Sequence, residues 1–369
     1  MGPSVAAQDI EAGKALLQSL IGGVVKTRAS DVHLRAGSSP FIRVDGRLTK
    51  VPGVTLAPQM VEVLLTLTSA RLPQDFGAET FEFSFEQPGI VRFRGHAFRE
   101  SGHWAISLRS IPPSVPTFHE LRLPPVVKTL CEVQPGLTLI TGPTGSGKST
   151  TAAAMLRAMA MSESLHVVTV EDPVEYTLHE TPSCISQREV GRDTASFASA
   201  ARAAFREDPD VIFIGEIRDH EALEVALQAA ESGTAVLSTF HTATAVKTIQ
   251  RVVSMCSTEE QAHIRARLAD VLRAVVSQRL LPKRGTKGRV VCCEVMLNNF
   301  TVKDCIRDAA KTQAIPGVLE RAADQQMQTF DKNLVALVRE GLVAQEVGLS
   351  YAVAPNDVRR LLNVPGLVG

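Results

Sequence analysis

The sequence predicts an α/β protein in two parts: an N-terminal α+β domain with an antiparallel sheet, then an α/β domain with a mainly parallel sheet and a helical end. Three observations support this fold class. Alternation of apolar and polar residues dominates the first hundred or so positions, a proline-rich stretch then interrupts it, and short apolar runs separated by Ala-rich helical stretches follow. With 369 residues, 44% of them apolar, the chain can form more than one core.

The N-terminal part begins with a predicted amphipathic helix over residues 8–27, where apolar residues recur at helical spacing. Strands follow it. The stretch "FIRVDGRLTKV" alternates around Asp45 and Gly46, a pair typical of a two-residue hairpin turn. Residues 80–98 and 103–111 alternate in the same way, with Pro88-Gly89 at a turn, so we expect an antiparallel sheet.

The domain boundary is predicted in "SIPPSVPTF", residues 110–118, where three prolines favour a stiff, extended linker. Beyond it, five short apolar runs are predicted as buried strands: 137–141, 166–170, 211–214, 235–239 and 289–295. Helical spacing dominates from about Val302, with Gly341 as a helix cap. The predicted ranges are an N-terminal domain at 1–113, a linker at 114–120, an α/β core at 121–300 and a helical subdomain at 301–369.

Composition excludes several functional classes. The chain has 39 basic and 39 acidic residues, so its zero formal charge gives no reason to expect a nucleic-acid partner. The six cysteines form no Cys-x-x-Cys pair, which favours reduced, mostly buried thiols over a zinc site or disulfides. Apolar runs are far shorter than the roughly 20 residues that span a bilayer, and we expect neither a membrane span nor a signal peptide.

One motif carries a specific chemistry. The sequence "GPTGSGKST" fits the phosphate-loop pattern G-x-x-x-x-G-K-[ST] between a predicted strand and a predicted helix. Its residues are the predicted ATP ligands: Gly142, Pro143, Thr144, Gly145, Ser146, Gly147, Lys148, Ser149 and Thr150. We expect backbone N–H groups to surround the phosphates, Lys148 to reach the β and γ oxygens, and the Ser149 hydroxyl to ligate Mg²⁺. The alternative is a glycine-rich turn that binds nothing.

Polar residues follow three of the predicted strands, at the sheet edge where α/β proteins bind ligands. Glu171 and Glu175 follow the second strand, Glu216 the third and His241 the fourth. The carboxylates could activate water or hold the waters of a metal, and Glu216 is expected to do so alone because no Asp ends its strand. The alternative is acids that cap helices, which applies most to Glu171 and Glu175. For His241 the alternative is a satisfied polar residue at a domain edge.

Arginines of the N-terminal part share one sheet face. Alternation puts Arg92 and Arg94 together and leaves Arg109 on the polar side of its strand. These guanidinium groups could stabilise transition-state charge on a γ-phosphate, or form an ordinary solvated face. Alternation alone favours the solvated face.

Several motifs in one order resemble the hexameric ATPases of type II secretion and type IV pili, and among them the PilT-type retraction ATPases. They are "ASDVHLRAG" with "FIRVDGRL", "GPTGSGKSTT", "VEDPVEY", "QREVGRDTASFASAARAAFREDPDVIFIGEIRD", "STFHTATA", "VVSQRLLP" and "MQTFDKNLVALVREGL". They match, in turn, the family's PAS-like N-terminal domain, Walker A, Asp box, Walker B region, His box and later segments. The likeness runs through nearly the whole chain.

This resemblance implies a homo-hexamer whose subunits pair a PAS-like domain with a RecA-like ATPase domain. It implies that Glu216 is the Walker B acid, Glu175 with Glu171 the Asp-box acid and His241 a histidine near the γ-phosphate. Arg94 and Arg109 match arginines directed at the nucleotide. The implied cofactors are ATP and Mg²⁺, the latter held by Ser149 and by Glu216, in part through water. The implied setting is the cytoplasm, at the inner face of the bacterial inner membrane, on a PilC-like platform protein.

Two positions depart from the retraction pattern: Thr234 stands where a histidine is usual, and "CIRDAA" (305–310) differs from the usual helix. The leading prediction is a Mg-dependent ATPase motor for pilus retraction and twitching motility. The alternatives are a PilU-like accessory or another secretion-system ATPase, a ring subunit that hydrolyses ATP poorly, and a nucleic-acid translocase that shares only the fold.

Overall fold

The computed structural model describes residues 7–44, 46–69, 80–111, 114–178 and 181–363. Its chain divides into two compact units. The first contains Met1–Ser114 together with the short segment Pro173–Thr177, and the second contains Val115–Asp172 and Leu178–Gly369. No sequence pattern predicted that 173–177 would pack with the N-terminal residues.

The first unit is an antiparallel sheet covered by two helices. The helices are α1, Ala7–Thr27, and α2, Pro58–Ser69. The strands are β1, Asp31–Arg35; β2, Phe41–Val44; β3, Arg47–Lys50; β4, Thr80–Gln87; β5, Val91–Glu100; and β6, His103–Ile111. Their order across the sheet is β3-β2-β1-β6-β5-β4. Of the two predicted turns, Pro88-Gly89 connects β4 to β5, whereas Asp45 of the other lies outside the described residues.

One face of this sheet forms the core of the first unit. Alternation along β1 buries Val32 and Leu34, which pack with Leu20 and Ile21 of α1 and Leu64 of α2. The predicted alternation holds along β1 and β5, where buried residues alternate with more exposed ones, but not along β6, where Trp104, Ala105 and Ile106 are buried in succession.

The second unit is built on a seven-stranded sheet. Its strands are β7, Gly136–Thr141; β8, His166–Glu171; β9, Cys184–Glu189; β10, Val211–Ile214; β11, Ala235–Phe240; β12, Leu272–Pro282; and β13, Arg289–Leu297. The order is β13-β12-β7-β11-β10-β8-β9, and only β13 pairs antiparallel to its neighbour among these strands. The mainly parallel sheet is confirmed.

Helices cover the sheet on both faces or extend the chain beyond it. They are α3, Phe118–Leu121; α4, Pro125–Thr129; α5, Lys148–Ser162; α6, Phe197–Ala204; α7, His220–Glu231; α8, Ala245–Ser254; α9, Gln261–Val271; α10, Phe300–Arg307; α11, Ile315–Arg321; α12, Phe330–Arg339; α13, Gln345–Tyr351; and α14, Pro355–Asn363. Gly341, at φ +72°, ends α12 as predicted.

The linker differs from its prediction. Residues 118–120 are helical, because Thr117 and Glu120 form a capping box at the start of α3. The Thr117 backbone N–H donates to Glu120 Oε2 at 2.7 Å, and the Thr117 hydroxyl accepts from the Glu120 N–H at 3.2 Å. Two of the three prolines that suggested an extended linker, Pro112 and Pro113, lie outside the described residues.

Two strands of the parallel sheet were not predicted. The edge strand β9 has the sequence CISQRE, which is too polar to indicate a buried strand. The strand β12 contains Ser277, Gln278 and Arg279 in its middle, and these residues interrupt its apolar run. Both strands are stabilised by backbone hydrogen bonds to neighbouring strands, which local sequence does not reveal.

All six cysteines are free thiols, and five are buried while Cys184 is exposed, so the prediction that the thiols are mostly buried is confirmed. No helix in the described ranges is both long enough and apolar enough to cross a membrane.

Two glycines of α1 allow a direct test of helix packing in the first unit. A Cβ at Gly13 would clash with the Val63 side chain of α2, whereas a Cβ at Gly22 would meet open space. We expect Gly13→Ala to destabilise the protein by about 1–3 kcal/mol through overpacking. Gly22→Ala should stabilise it by roughly 0.5–1 kcal/mol through helix propensity. Denaturant unfolding measures both; equal effects would contradict the contact between α1 and α2.

Candidate active site

The phosphate loop leaves β7 and enters α5 at the carboxyl edge of the parallel sheet. Gly142, Gly145 and Gly147 have φ values of +150°, +77° and +90°, which only glycine adopts without strain. A Cβ at Gly142 would also lie 2.5 Å from the carbonyl oxygen of Gln278. The glycine pattern is therefore required by the backbone path as well as by close approach of a neighbouring strand.

Lys148 places its charge inside this loop. The residue is only 8% exposed, and its ammonium donates to the carbonyl oxygens of Gly142 at 2.9 Å and Pro143 at 3.2 Å. The Ser146 hydroxyl is also buried and has no hydrogen-bond partner among the described residues. A loop with a buried ammonium and a buried unpaired hydroxyl suits a phosphate ligand.

Glu216 follows β10 and the tightly packed Gly215, at the same sheet edge. Both of its carboxylate oxygens have partners. Oε1 lies 3.1 Å from His241 Nε2, and Oε2 accepts from Arg218 Nε at 2.7 Å. The Glu216 side chain is 18% exposed, so water reaches a carboxylate that the protein holds in place.

His241 bridges Glu216 and Lys148. Its Nδ1 lies 3.4 Å from Lys148 Nζ while its Nε2 faces Glu216. Burial and the charge of Lys148 lower the pKa of His241 below its usual value, although Glu216 opposes them. The imidazole of His241 is therefore neutral, and its Nδ1 accepts from Lys148 while its Nε2–H donates to Glu216.

Arg218 is a member of this cluster that sequence reasoning missed. Besides Glu216, its guanidinium donates to Asp172 Oδ2 at 3.2 Å and lies 5.5 Å from the ring centre of Phe197. Asp172 is the residue that follows β8. The sequence did contain a signal for Arg218. It lies only two residues after Glu216, so both side chains are expected near the end of the same strand.

Glu171 lies at the end of β8 with its own partners. Its Oε1 accepts from Thr169 Oγ1 at 2.7 Å and from Gln187 Nε2 at 3.1 Å. These contacts attach Glu171 to β8 and β9. They are separate from the contacts of 3.4 and 3.1 Å that join Lys148, His241 and Glu216.

Glu175, Arg94 and Arg109 belong to the first unit. Arg94 donates to Glu82 at 2.7 Å and lies 3.7 Å from Glu175 Oε1. Arg109 donates to Asp31 Oδ1 at 3.0 Å. The structure therefore brings Lys148, Glu216 and His241 together in one unit, and pairs the predicted arginines with carboxylates of the other.

Comparison with known proteins decides the family. The family model for type II/IV secretion system proteins matches residues 6–349. The chain belongs to this family.

Several relatives cover nearly the whole chain. "Type IV pilus retractation ATPase PilT" of Pseudomonas aeruginosa is 41% identical over 346 residues, and the match covers 92% of this chain and 99% of the relative. A "Twitching motility protein" of Neisseria gonorrhoeae is 38% identical and covers 90% of this chain and 89% of the relative. "Type IV pilus ATPase PilU" of P. aeruginosa is 35% identical, with coverage of 94% and 91%.

Solved structures of similar proteins support the same family. The pilus retraction motor PilT with bound ADP superposes with a TM-score of 0.84 at 40% identity, covering 93% of this chain and 98% of that one. The Legionella pneumophila ATPase DotB gives 0.74 at 26% identity, with coverage of 90% and 94%. The expected fold of this family, a PAS-like N-terminal domain with a RecA-like ATPase domain, is confirmed.

The lowered pKa of His241 predicts a pH dependence of stability. Because the folded pKa lies below the unfolded value of about 6.5, the unfolded state binds more protons as the pH falls through this range. The stabilising contribution is complete above the unfolded value and is lost as the pH falls through the folded one. Wild type should therefore lose more stability than His241→Gln between about pH 7 and pH 5, by less than about 1 kcal/mol at this half-exposed site. Urea unfolding of both proteins checks this; parallel curves would show that His241 does not titrate as described.

Proposed function

We propose that this protein is the ATP-hydrolysing motor that powers type IV pilus retraction, the disassembly of the pilus that produces twitching motility. One observation carries the proposal: the phosphate-loop lysine, His241 and Glu216 lie in one chain of contacts, 3.4 and 3.1 Å long. This site occurs in a chain 41% identical over 92% of its length to a PilT protein.

The phosphate loop, residues 142–150, binds the nucleotide in this proposal. Backbone N–H groups and Lys148 hold the phosphates, and Lys148 exchanges the carbonyls of Gly142 and Pro143 for phosphate oxygens. Because burial of an unpaired ammonium is costly, these carbonyls keep Lys148 in place until a nucleotide binds.

The residues at the loop fit Mg²⁺. Ser149 in the first turn of α5 and the carboxylate of Glu216 supply oxygen ligands, which Mg²⁺ prefers, directly or through water. Among the described residues no group of three His, Cys, Asp or Glu side chains is placed to hold a metal, as suits an ion that takes most of its ligands from phosphates and water. When bound, Mg²⁺ neutralises charge on the β and γ phosphates.

Glu216 acts as the base that orients water and accepts its proton. Each carboxylate oxygen can accept more than one hydrogen bond, so Glu216 can bind the attacking water beside its contacts with His241 and Arg218. His241 changes partner when the nucleotide binds, because its Nε2–H can turn from Glu216 to a γ-phosphate oxygen. It thereby reports the state of the nucleotide.

Arg94 and Arg109 act on the γ-phosphate, where a guanidinium stabilises transition-state charge, while Glu175 and Glu171 supply further acids for the metal's waters. In this role Arg94 must leave Glu82 and Glu175, and Arg109 must leave Asp31. Six subunits form the working ring. The ring lies in the cytoplasm at the inner face of the inner membrane, bound to a PilC-like platform protein.

A PilU-like accessory subunit is the second candidate, since the chain is also 35% identical over 94% of its length to a PilU protein. Such a subunit would bind ATP and depend on a more active partner ATPase for movement.

Hydrolysis is tested with two substitutions in the second unit. Lys148→Ala should abolish nucleotide binding and turnover, and Glu216→Gln should lower kcat about a hundredfold or more while ADP still binds. The Mg²⁺ dependence is measured by phosphate release with and without EDTA. Glu163→Gln, an exposed glutamate at the end of α5, is the matched control. Normal turnover by Glu216→Gln would remove this residue as the base.

The direction of movement is tested in cells that carry Glu216→Gln at the chromosomal locus. A retraction motor without turnover should leave surface pili in excess and abolish twitching, whereas an assembly motor would leave no pili. Near-normal twitching that fails only when a second retraction ATPase is weakened would favour the PilU-like role over the proposed one. Pili are counted by electron microscopy against the Glu163→Gln strain.

A further inference from the structure

Glu294 is a buried acid outside the nucleotide site. It lies in the middle of β13 and is only 7% exposed. Its Oε1 accepts a hydrogen bond of 2.7 Å from the backbone N–H of Ala245, the first residue of α8. Burial raises the pKa of Glu294, and this hydrogen bond opposes the rise. Burial of a carboxylate costs free energy unless hydrogen bonds or opposite charges compensate it, and the Ala245 N–H supplies one such bond.

The strand register puts Glu294 in one row with the end of β11. Across the carboxyl half of the sheet, Glu294 pairs with Ser277, Ser277 with Thr141, and Thr141 with Phe240. Paired residues of neighbouring strands share a sheet face, and the Thr141 hydroxyl donates to Ser277 Oγ at 2.9 Å on that face. The row therefore starts at Phe240, the residue that precedes His241, and ends at Glu294.

The loop that carries His241 returns to the same row. Only four residues, 241–244, separate β11 from α8. The chain bends at residues 243–244 before α8 begins. A loop this short ties the position of His241 to both of its ends, Phe240 on β11 and Ala245 at the start of α8.

Two other contacts hold the far end of this loop. Thr244 caps α8 by accepting from the Lys247 N–H at 3.3 Å, and the hydroxyls of Thr242 and Thr248 lie 2.6 Å apart. Both are local to α8. The hydrogen bond from Ala245 to Glu294 is different because it fixes the helix start to the sheet itself.

We infer that Glu294 is a positioning residue for His241: it anchors the start of α8 on β13 and so fixes the far end of the loop that places the imidazole between Lys148 and Glu216. This inference rests on the proposed ATPase function for its consequence in catalysis. Glu294 touches neither nucleotide nor water in this role. It acts through His241, whose contacts at 3.4 and 3.1 Å need a fixed loop.

Kinetics test the inference with matched variants of the full chain. Glu294→Ala should lower kcat about tenfold with KM for ATP within about twofold, because phosphate binding by the loop at 142–150 is unaffected. Glu294→Gln keeps an acceptor oxygen for the Ala245 N–H and should restore kcat to within about threefold of wild type. Asn299→Ala, which removes the cap of α10 through the Val302 N–H, is the control for loss of a helix cap alone; it should leave kcat unchanged.

A double-mutant cycle shows whether Glu294 acts through His241. If it does, Glu294→Ala should not slow a His241→Ala protein further. Additive losses would overturn the inference, and so would equal losses in Glu294→Ala and Asn299→Ala. Should Glu294→Ala fail to fold, Glu294→Asp replaces it in the cycle, because it retains the carboxyl group and shortens the side chain by one methylene.

A second readout needs no turnover. Carbethoxylation of His241, followed by peptide mass mapping, should be faster in Glu294→Ala than in wild type or Asn299→Ala, because the imidazole is released from its contacts. Unchanged reactivity would overturn the inference. If wild type hydrolyses no ATP, the proposed function fails, and the modification rates still decide whether Glu294 positions the loop.

Discussion

The site depends on the in-register pairing of three parallel strands. Backbone hydrogen bonds align β7 with β11 and β11 with β10, so that Thr141, Phe240 and Ile214 end near one edge of the sheet. The chain leaves each strand there, and the next residues are the phosphate loop, His241 and Gly215-Glu216. The residues of the site are far apart in sequence, and this backbone register is what brings them together.

Charges within the site balance one another before any ligand binds. The contacts run from Lys148 to His241, on to Glu216 and through Arg218 to Asp172. A partly buried charge without a partner would be costly, so the loss of any one of these contacts leaves a charge uncompensated unless a new partner replaces the old one.

The features that depend on local sequence pattern were predictable, whereas those that depend on contacts between distant residues were not. The phosphate loop and the strand before it were predictable because glycine spacing and apolar runs are local signals. Glu294 was not predictable, because its contact is with a residue 49 positions away. For Arg218, the contact with Glu216 had a local signal, whereas the contact with Asp172, 46 positions away, had none. The strand β9 was missed for a related reason: its polar residues become a strand only through pairing with β8.

The segment Pro173–Thr177 has a consequence for dividing the molecule experimentally. It belongs to the first unit although it lies far along the chain, and Arg92 Nε donates to its Val174 carbonyl at 2.8 Å. A fragment ending at Ser114 would lack this carbonyl and the carboxylate of Glu175. The first unit is therefore discontinuous in sequence, and a faithful isolated version needs the segment grafted on or supplied as a peptide.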